Sequence, residues 1–297
     1  MSAPSASRVV ALVPAWNAEP FIAPVLACLA AQTHRALDVL ISDDASTDRT
    51  AAICAAFARE HPNVHLIRQP RNLGWIGNVN ALLREARGDH VFFAFHDDLV
   101  HPTYVERLSG ALDAHPQAVL AFSDMVRRVV ASGDEPPGRD DRPPAPDGVK
   151  VYLDLDGVRE RLARGRIVAQ KWGRPPSYSV MVANRGLFRA SAARAVGGLR
   201  RHAGGEYGAD WPWLLRLALI GEFVRVPLPL VEKSYRPTSL SATWRHSLRA
   251  RAGVLLACHR EVARAALPMR EALALHQALL VGAARRQGWS LHRRASR

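Results

Sequence analysis

The sequence predicts an α/β fold: a mostly parallel sheet flanked by helices, with a helical C-terminal tail. Two observations carry this. Short apolar runs recur through the first 122 of 297 residues, at 9–13, 39–42, 64–67, 91–95 and 119–122. Between them lie helical-period segments at 21–31, 50–60, 77–87 and 102–115. Short buried strands alternating with helices imply βαβ units and a parallel sheet. Asp48 is placed to cap the second helix, and Pro102 suits the first turn of the fourth.

Residues 132–148 interrupt the pattern with Pro and acidic residues and read as a solvated loop. Beyond it the sequence predicts helices at 153–164, 210–220, 245–266 and 269–286, with short strands at 179–182 and 223–226. The boundaries divide the chain into a first half, 1–122, a second half, 123–243, and a basic helical segment, 244–297. Three cysteines, Cys28, Cys54 and Cys258, are too few and too scattered for a disulfide framework or a zinc site. No apolar run reaches the ~20 residues a membrane span needs, and Met1–Ser7 has no signal-peptide core. A cytoplasmic location follows as the expectation.

The net charge of +13 is unevenly placed. Residues 1–100 carry eight Arg against ten Asp and Glu, whereas 244–297 carry eleven Arg against two Glu. A basic tail on a near-neutral body suits an anionic surface such as the inner face of a membrane, not nucleic acid. A GC-rich genome would give the same abundance of Arg and Ala, and a helical cap on the second half would give the same apolar pattern. Both readings stand beside the membrane one.

In a parallel sheet, ligands bind beyond the C-terminal ends of the strands. Four polar segments fall there. Pro14-Ala15-Trp16-Asn17 follows the first strand, and Asp43-Asp44-Ala45-Ser46-Thr47-Asp48 ends the second. Asn72-Leu73-Gly74, leading to Asn78 and Asn80, follows the third, and His96-Asp97-Asp98 follows the fourth. Singly, each suits a turn or a helix cap; together they line one rim.

In order and spacing these segments resemble the family 2 glycosyltransferases of the GT-A fold. There a P-x-x-N motif precedes D-D-x-S-x-D, then N-x-G…N and an acidic D-x-D-type motif. The resemblance implies donor binding by Pro14, Ala15, Trp16, Asn17, Asp43, Asp44, Asn72, Gly74, Asn80 and His96, with Asp43 or Asp44 reading the nucleobase. It implies a Mn²⁺ or Mg²⁺ ion on Asp97, with Asp98 as second choice, since hard cations prefer carboxylates. Phe95 stands where the acidic motif usually begins with Asp.

Residues 208–221 resemble the family's E-D-W-x-L-x-x-R segment, in which an Asp opening the helix is the catalytic base. Asp210 takes that position, although Ala209 replaces the Glu, and an N-cap role suits it as well. Glu206 is the fallback base. Trp211 and Trp213 suit either a sugar face or the core. Arg236 suits a phosphate, and His246 is a candidate for a missing histidine in the 235–241 segment. The resemblance thus implies an inverting, metal-dependent transfer from a nucleotide-sugar donor, a UDP-sugar by preference, to a saccharide or lipid-linked acceptor. The product class would be a cell-surface polysaccharide or glycolipid. A nucleotidyltransferase would use the same carboxylates, but 14–20 lack the Lys or Arg its phosphate loop needs. Phe95 and Ala209 also fit a sugar-nucleotide-binding module without catalysis.

Overall fold

The computed structural model describes residues 6–129, 138–139, 155–163, 183–235 and 247–294. The strand expected at 179–182, most of the loop at 132–148, and Arg236 and His246 lie outside the described residues.

The chain opens with β1 (Val9–Ala15), α1 (Ile22–Ala30), β2 (Leu37–Asp43), α2 (Thr50–Glu60), β3 (Val64–Arg68), α3 (Gly74–Glu85) and β4 (His90–Phe93). A short β5 (Asp98–Val100) leads into α4 (Tyr104–Ala114) and the long β6 (Ala118–Val129). Then come β7 (Gly138–Arg139), α5 (Leu155–Ala163), a 3-10 turn (Ala183–Arg185), β8 (Leu187–Arg189), α6 (Ala190–Val196), α7 (Asp210–Ala218) and β9 (Glu222–Tyr235). Two helices, α8 (Leu248–Arg264) and α9 (Met269–Arg294), finish the chain.

All nine strands join one sheet in the order β3-β2-β1-β4-β8-β6-β9-β5, with β7 paired to β6. Its pairings make β1, β2, β3, β4, β6 and β9 codirectional, while β5, β7 and β8 run against them. The mostly parallel sheet expected from the strand–helix alternation is therefore present. The chain leaves β1 toward β2 and β3, then returns to β4 on the other side of β1. That reversal makes a switch point between β1 and β4.

β1 is buried along its whole length because helices cover both faces. Its side chains alternate between two cores. Val10 and Leu12 pack with α3, α6, α7, α8 and α9, while Val9, Ala11 and Val13 pack with α1, α2 and α4. The first core holds Val254, Cys258 and Val262 of α8 and Leu275 and Leu279 of α9. One face of the C-terminal helices thus packs into this core. The contact is close: a Cβ on Gly253 would stand 2.5 Å from the backbone nitrogen of Gly204.

Three boundaries differ from expectation for physical reasons. α3 begins at Gly74, three residues before the expected start. N–H groups at its start find acceptors outside the helix: Asp44 Oδ1, far back in the chain, takes Leu73 N–H at 2.7 Å, and Asn72 Oδ1, two residues back, takes Gly74 N–H at 2.9 Å. β9 runs through Pro227 and Pro229, which break the sequence pattern. Register shifts against β6 at Ser123–Met125 absorb them. β6 correspondingly runs seven residues past the expected end at 122. Beside that irregularity Arg225 grips Asp124 in a bidentate pair, Nε to Oδ1 at 2.7 Å and Nη2 to Oδ2 at 2.5 Å. The side chains are 4% and 3% exposed.

Candidate active site

The segments after β1 and β2 are bonded to each other. Ala15 O accepts from Asp44 N–H at 2.9 Å. Asn17, in the left-handed region at φ 45°, accepts Thr47 N–H on Oδ1 at 2.9 Å and donates its own N–H to Ser46 Oγ at 3.0 Å. Ala18 N–H donates to Thr50 Oγ1 at 2.7 Å, and Glu19 N–H to Asp48 Oδ2 at 3.1 Å. Asp48 Oδ1 also takes Thr50 N–H at 2.9 Å, but the N-cap position of α2 belongs to Arg49, so Asp48 sits one residue before the cap expected of it. The serine and the last Asp of D-D-x-S-x-D therefore fix the loop that follows β1. Pro14 and Ala15 are buried, whereas Trp16 stands at the rim with half its surface exposed.

The paired carboxylates differ. Asp44 is committed to Leu73 N–H, and its carbonyl accepts from Asn72 Nδ2 at 3.3 Å. Burial pushes its carboxyl above the ordinary range against those backbone hydrogen bonds, and Asp43 and Glu206 push in the same direction. Asp43 is also buried. Its Oδ2 takes Ser46 N–H at 3.4 Å, but among the described residues Oδ1 takes no hydrogen bond. A buried carboxylate oxygen without a donor is costly, and a ligand N–H would relieve it.

Gly74 has φ 75°, and a Cβ there would meet Glu206 Oε1 at 2.9 Å. Glu206 itself is paired with Arg201 at 2.8 Å, beside the start of α3. Asn80 lies further along α3. It holds Leu199 by both ends of its amide, Nδ2 to O at 2.9 Å and Oδ1 from N–H at 2.7 Å. Its side chain thereby ties α3 to the glycine segment 197–198.

The acidic turn closes tightly, with Asp98 N–H on Phe95 O at 3.1 Å. His96 Nδ1 lies 3.1 Å from Pro14 O, bridging the switch point between β1 and β4. That contact places the proton on Nδ1 and the lone pair of a neutral ring on Nε2. Asp97 is half-buried at the turn, and Asp98 is buried as the first residue of β5. Asp98 Oδ2 receives Arg185 Nε at 2.7 Å, and Oδ1 lies 3.8 Å from Lys233 Nζ. Asp98 and Lys233 are register partners in the β5–β9 ladder. Asp98 is therefore paired with two cations of the chain, although its Oδ1 takes no hydrogen bond among the described residues, and Asp97 also acts on Lys233 electrostatically.

Arg185 and Asn184, in the 3-10 turn before β8, join this turn to Asp210. The Arg185 guanidinium lies 4.6 Å from the centre of the Phe95 ring, and its Nη1 donates to Asn184 Oδ1 at 3.0 Å. Asn184 Nδ2 donates to Asp210 Oδ2 at 2.6 Å. The Arg185 carbonyl accepts from the hydroxyl of buried Tyr104. Phe95, where the acidic motif usually has Asp, is thus a platform for a cation.

Asp210 opens α7, but the N-cap position belongs to Ala209, and no side chain caps that helix. Burial pushes the Asp210 carboxyl above the ordinary range; Arg185, the Asn184 hydrogen bond and Lys233 pull against it. Burial likewise pushes Lys233 down, and Arg185 adds to that. A carboxylate raised in this way beside fixed donors has the character of a general base. Trp213 is core: it packs against Phe93 and Phe188, and its Nε1 donates to Gly197 O at 2.8 Å. Trp211 is half-buried against Tyr207.

No three His, Cys, Asp or Glu side chains among the described residues gather into a chelate. A protein-only metal cage does not fit these residues. A Mg²⁺ or Mn²⁺ ion held by one carboxylate and by ligand phosphates does, because such ions commonly complete their shell on substrate.

These features define an α/β fold of the GT-A kind, with an acidic turn at the strand ends and a half-buried carboxylate, Asp210, at the start of α7. Residues 10–147, just under half of the chain, match Glycosyl transferase family 2. The fold is that of TarS from S. aureus, solved as residues 1–349 with UDP-GlcNAc. The TM-score is 0.70 at 16% identity, covering 92% of this chain and 71% of that one. The mannosyltransferase PcManGT from Pyrobaculum calidifontis, solved with GDP-Man and Mn²⁺, aligns at TM-score 0.55 and 20% identity over 96% of this chain and 75% of that one. In sequence the chain is 31% identical over 175 residues, 57% of its length, to the uncharacterized protein Rv1520 of Mycobacterium tuberculosis. It spans between 20% and 48% of the length of the first curated relatives it matches.

Proposed function

We propose that the protein is a glycosyltransferase that moves a sugar from a nucleotide-diphosphate donor, a UDP-sugar by preference, to an acceptor hydroxyl with inversion. The observation that carries this is the hydrogen-bonded chain from the acidic turn through Arg185 and Asn184 to the half-buried Asp210 carboxylate, whose pKa is raised. The exposed Trp16 ring would cover the nucleobase, and Asp43 Oδ1 would accept its ring N–H. Asp97 would hold the Mn²⁺ or Mg²⁺ ion together with the donor phosphates. When bound, that cation offsets the negative charge of the departing nucleoside diphosphate. Asp210 takes the proton from the acceptor hydroxyl as its oxygen attacks the anomeric carbon. The bond from that carbon to the diphosphate oxygen breaks in the same step.

Thermal denaturation with a panel of sugar nucleotides, with and without Mn²⁺, tests the reading. A donor at 100 times its Kd adds about 2.7 kcal/mol to stability, which raises the melting temperature by several degrees. A metal-dependent rise with one donor is expected. Flat melting temperatures across the panel would overturn the proposal.

The acceptor is proposed to be lipid-linked, made at an anionic membrane for a surface polysaccharide or glycolipid. No helix among the described residues is long and apolar enough to cross a membrane. The support is the solvent face of α8 and α9. Leu248, Leu256, Met269, Leu273 and Leu280 are all exposed there, and Met269 is 75% exposed. Arg249, Arg260 and Arg270 are exposed beside them. Apolar residues fringed by arginine suit the interface of an anionic bilayer. The protein should co-sediment with phosphatidylglycerol vesicles and not with phosphatidylcholine ones, and Leu273→Gln with Leu280→Gln should release it. Equal recovery with both lipids would sink this part.

A further inference from the structure

We infer that Asn184 and Arg185 are positioning residues that set the orientation and basicity of Asp210 from the donor side of the site. This rests on the base reading of Asp210. The geometry leaves the asparagine one orientation. Its Oδ1 accepts from Arg185 Nη1 at 3.0 Å, so Nδ2 is the atom facing Asp210 Oδ2, at 2.6 Å. Turning the amide over would set Oδ1 against a carboxylate and NH2 against a guanidinium, losing both bonds. The amide therefore always presents a donor to Oδ2 and fixes the carboxylate rotamer, so that Oδ1 is the oxygen not engaged by Asn184.

Arg185 is in turn held at four points. Nε is on Asp98, Nη1 on Asn184, the guanidinium plane is over Phe95, and the carbonyl is under the Tyr104 hydroxyl. Only a planar fork satisfies Asp98 and Asn184 together, and lysine would serve one of them. The turn that would carry the metal and diphosphate is thereby linked to the acceptor-side base through two side chains. Displacement of Arg185 by a badly placed donor would loosen Asn184 and misalign Asp210. The groups facing Asp210 are Asn184 and Arg185 from the 3-10 turn and Lys233 from β9. A hydrogen bond to a carboxylate favours its charged form. Loss of the Asn184 bond should therefore raise the Asp210 pKa further.

The experiment compares wild type, Asn184→Ala, Arg185→Lys and Asp210→Asn as full chains. The readouts are kcat against pH at saturating substrates, the donor dissociation constant, and the Asp210 carboxyl shift followed by ¹³C NMR across pH. The Asp210→Asn protein assigns the NMR signal. Asn184→Ala is expected to move the NMR titration and the acid limb of kcat together to higher pH. It should lower kcat about tenfold or more at neutral pH and leave donor binding unchanged. Arg185→Lys should show the same shift to a smaller extent. An Asp210 titration unmoved in Asn184→Ala overturns the inference whether or not transfer is measured. If Asp210→Asn retains full transfer, the base reading fails instead, and the NMR titration still decides whether Asn184 tunes that carboxyl.

Discussion

Asp210→Asn should lower kcat by about 10²–10⁴-fold, the usual worth of a positioned general base. Donor affinity should stay unchanged, because among the described residues that side chain bonds to Asn184 and to none of the loops that follow β1, β2 and β3. The substitution is nearly isosteric and removes a carboxylate whose ionisation burial opposes. A raised pKa means that the folded state binds more protons than the unfolded chain between the ordinary value of 3.8 and the native one. Stability therefore falls as pH rises through that window, and above the native value the fold carries the full penalty. Asp210→Asn is accordingly expected to match or exceed the wild-type melting temperature at pH 7 while losing transfer. In the wild type, kcat should rise with pH along a limb displaced above the ordinary carboxylate range, because only ionised Asp210 accepts the proton. Undiminished transfer by the variant, read by release of nucleoside diphosphate, would remove Asp210 from the mechanism.

The largest effect on stability is expected at Asp124 and Arg225. Both are buried, and their bidentate bond crosses from β6 to β9 beside the register shift that accommodates Pro229. Asp124→Ala leaves a guanidinium buried without its carboxylate, which costs about 3–5 kcal/mol. Denaturant unfolding should show a lower midpoint with an unchanged slope. Replacing both residues together, as Asp124→Leu with Arg225→Met, should recover most of the loss, because the desolvation penalty of the two charges disappears with them. A single-variant cost below about 1 kcal/mol would show that the pair contributes nothing net beyond its own desolvation.

The alternation of apolar runs and helical periods was sufficient to read β1–β4 and the helices between them, since each buries a face whose period is written locally. Short β5, β8 and α6 were not legible: elements of three or seven residues carry too few periods, and their place comes from partners far along the chain. The strand-end carboxylates were legible as a group, but their division of labour was not. Asp43 and Asp44 are adjacent and alike in sequence; only packing of the α3 start against Asp44 separates them. Asp97 and Asp98 read as first and second choice for a metal, but the pairing of Asp98 with Arg185 and Lys233, 87 and 135 positions later, left no local trace. Asn184 and Arg185 belong to no motif in the sequence reading. A weak signal existed in Phe95, since an aromatic residue in place of an expected carboxylate invites a search for a cation to cover it.

The register pairing of Asp98 with Lys233 has a dynamic consequence. It ties the donor-side turn to the acceptor-side strand by backbone, at the ~4.8 Å interval of neighbouring strands. Enzymes with two halves on separate cores can swing them apart to admit substrates; here the same ladder runs under both binding places, so there is no hinge line between them. Opening and closing must then fall to the loops around the rim. The spacing between donor and acceptor is built in as the chain folds and does not depend on closure in each catalytic cycle.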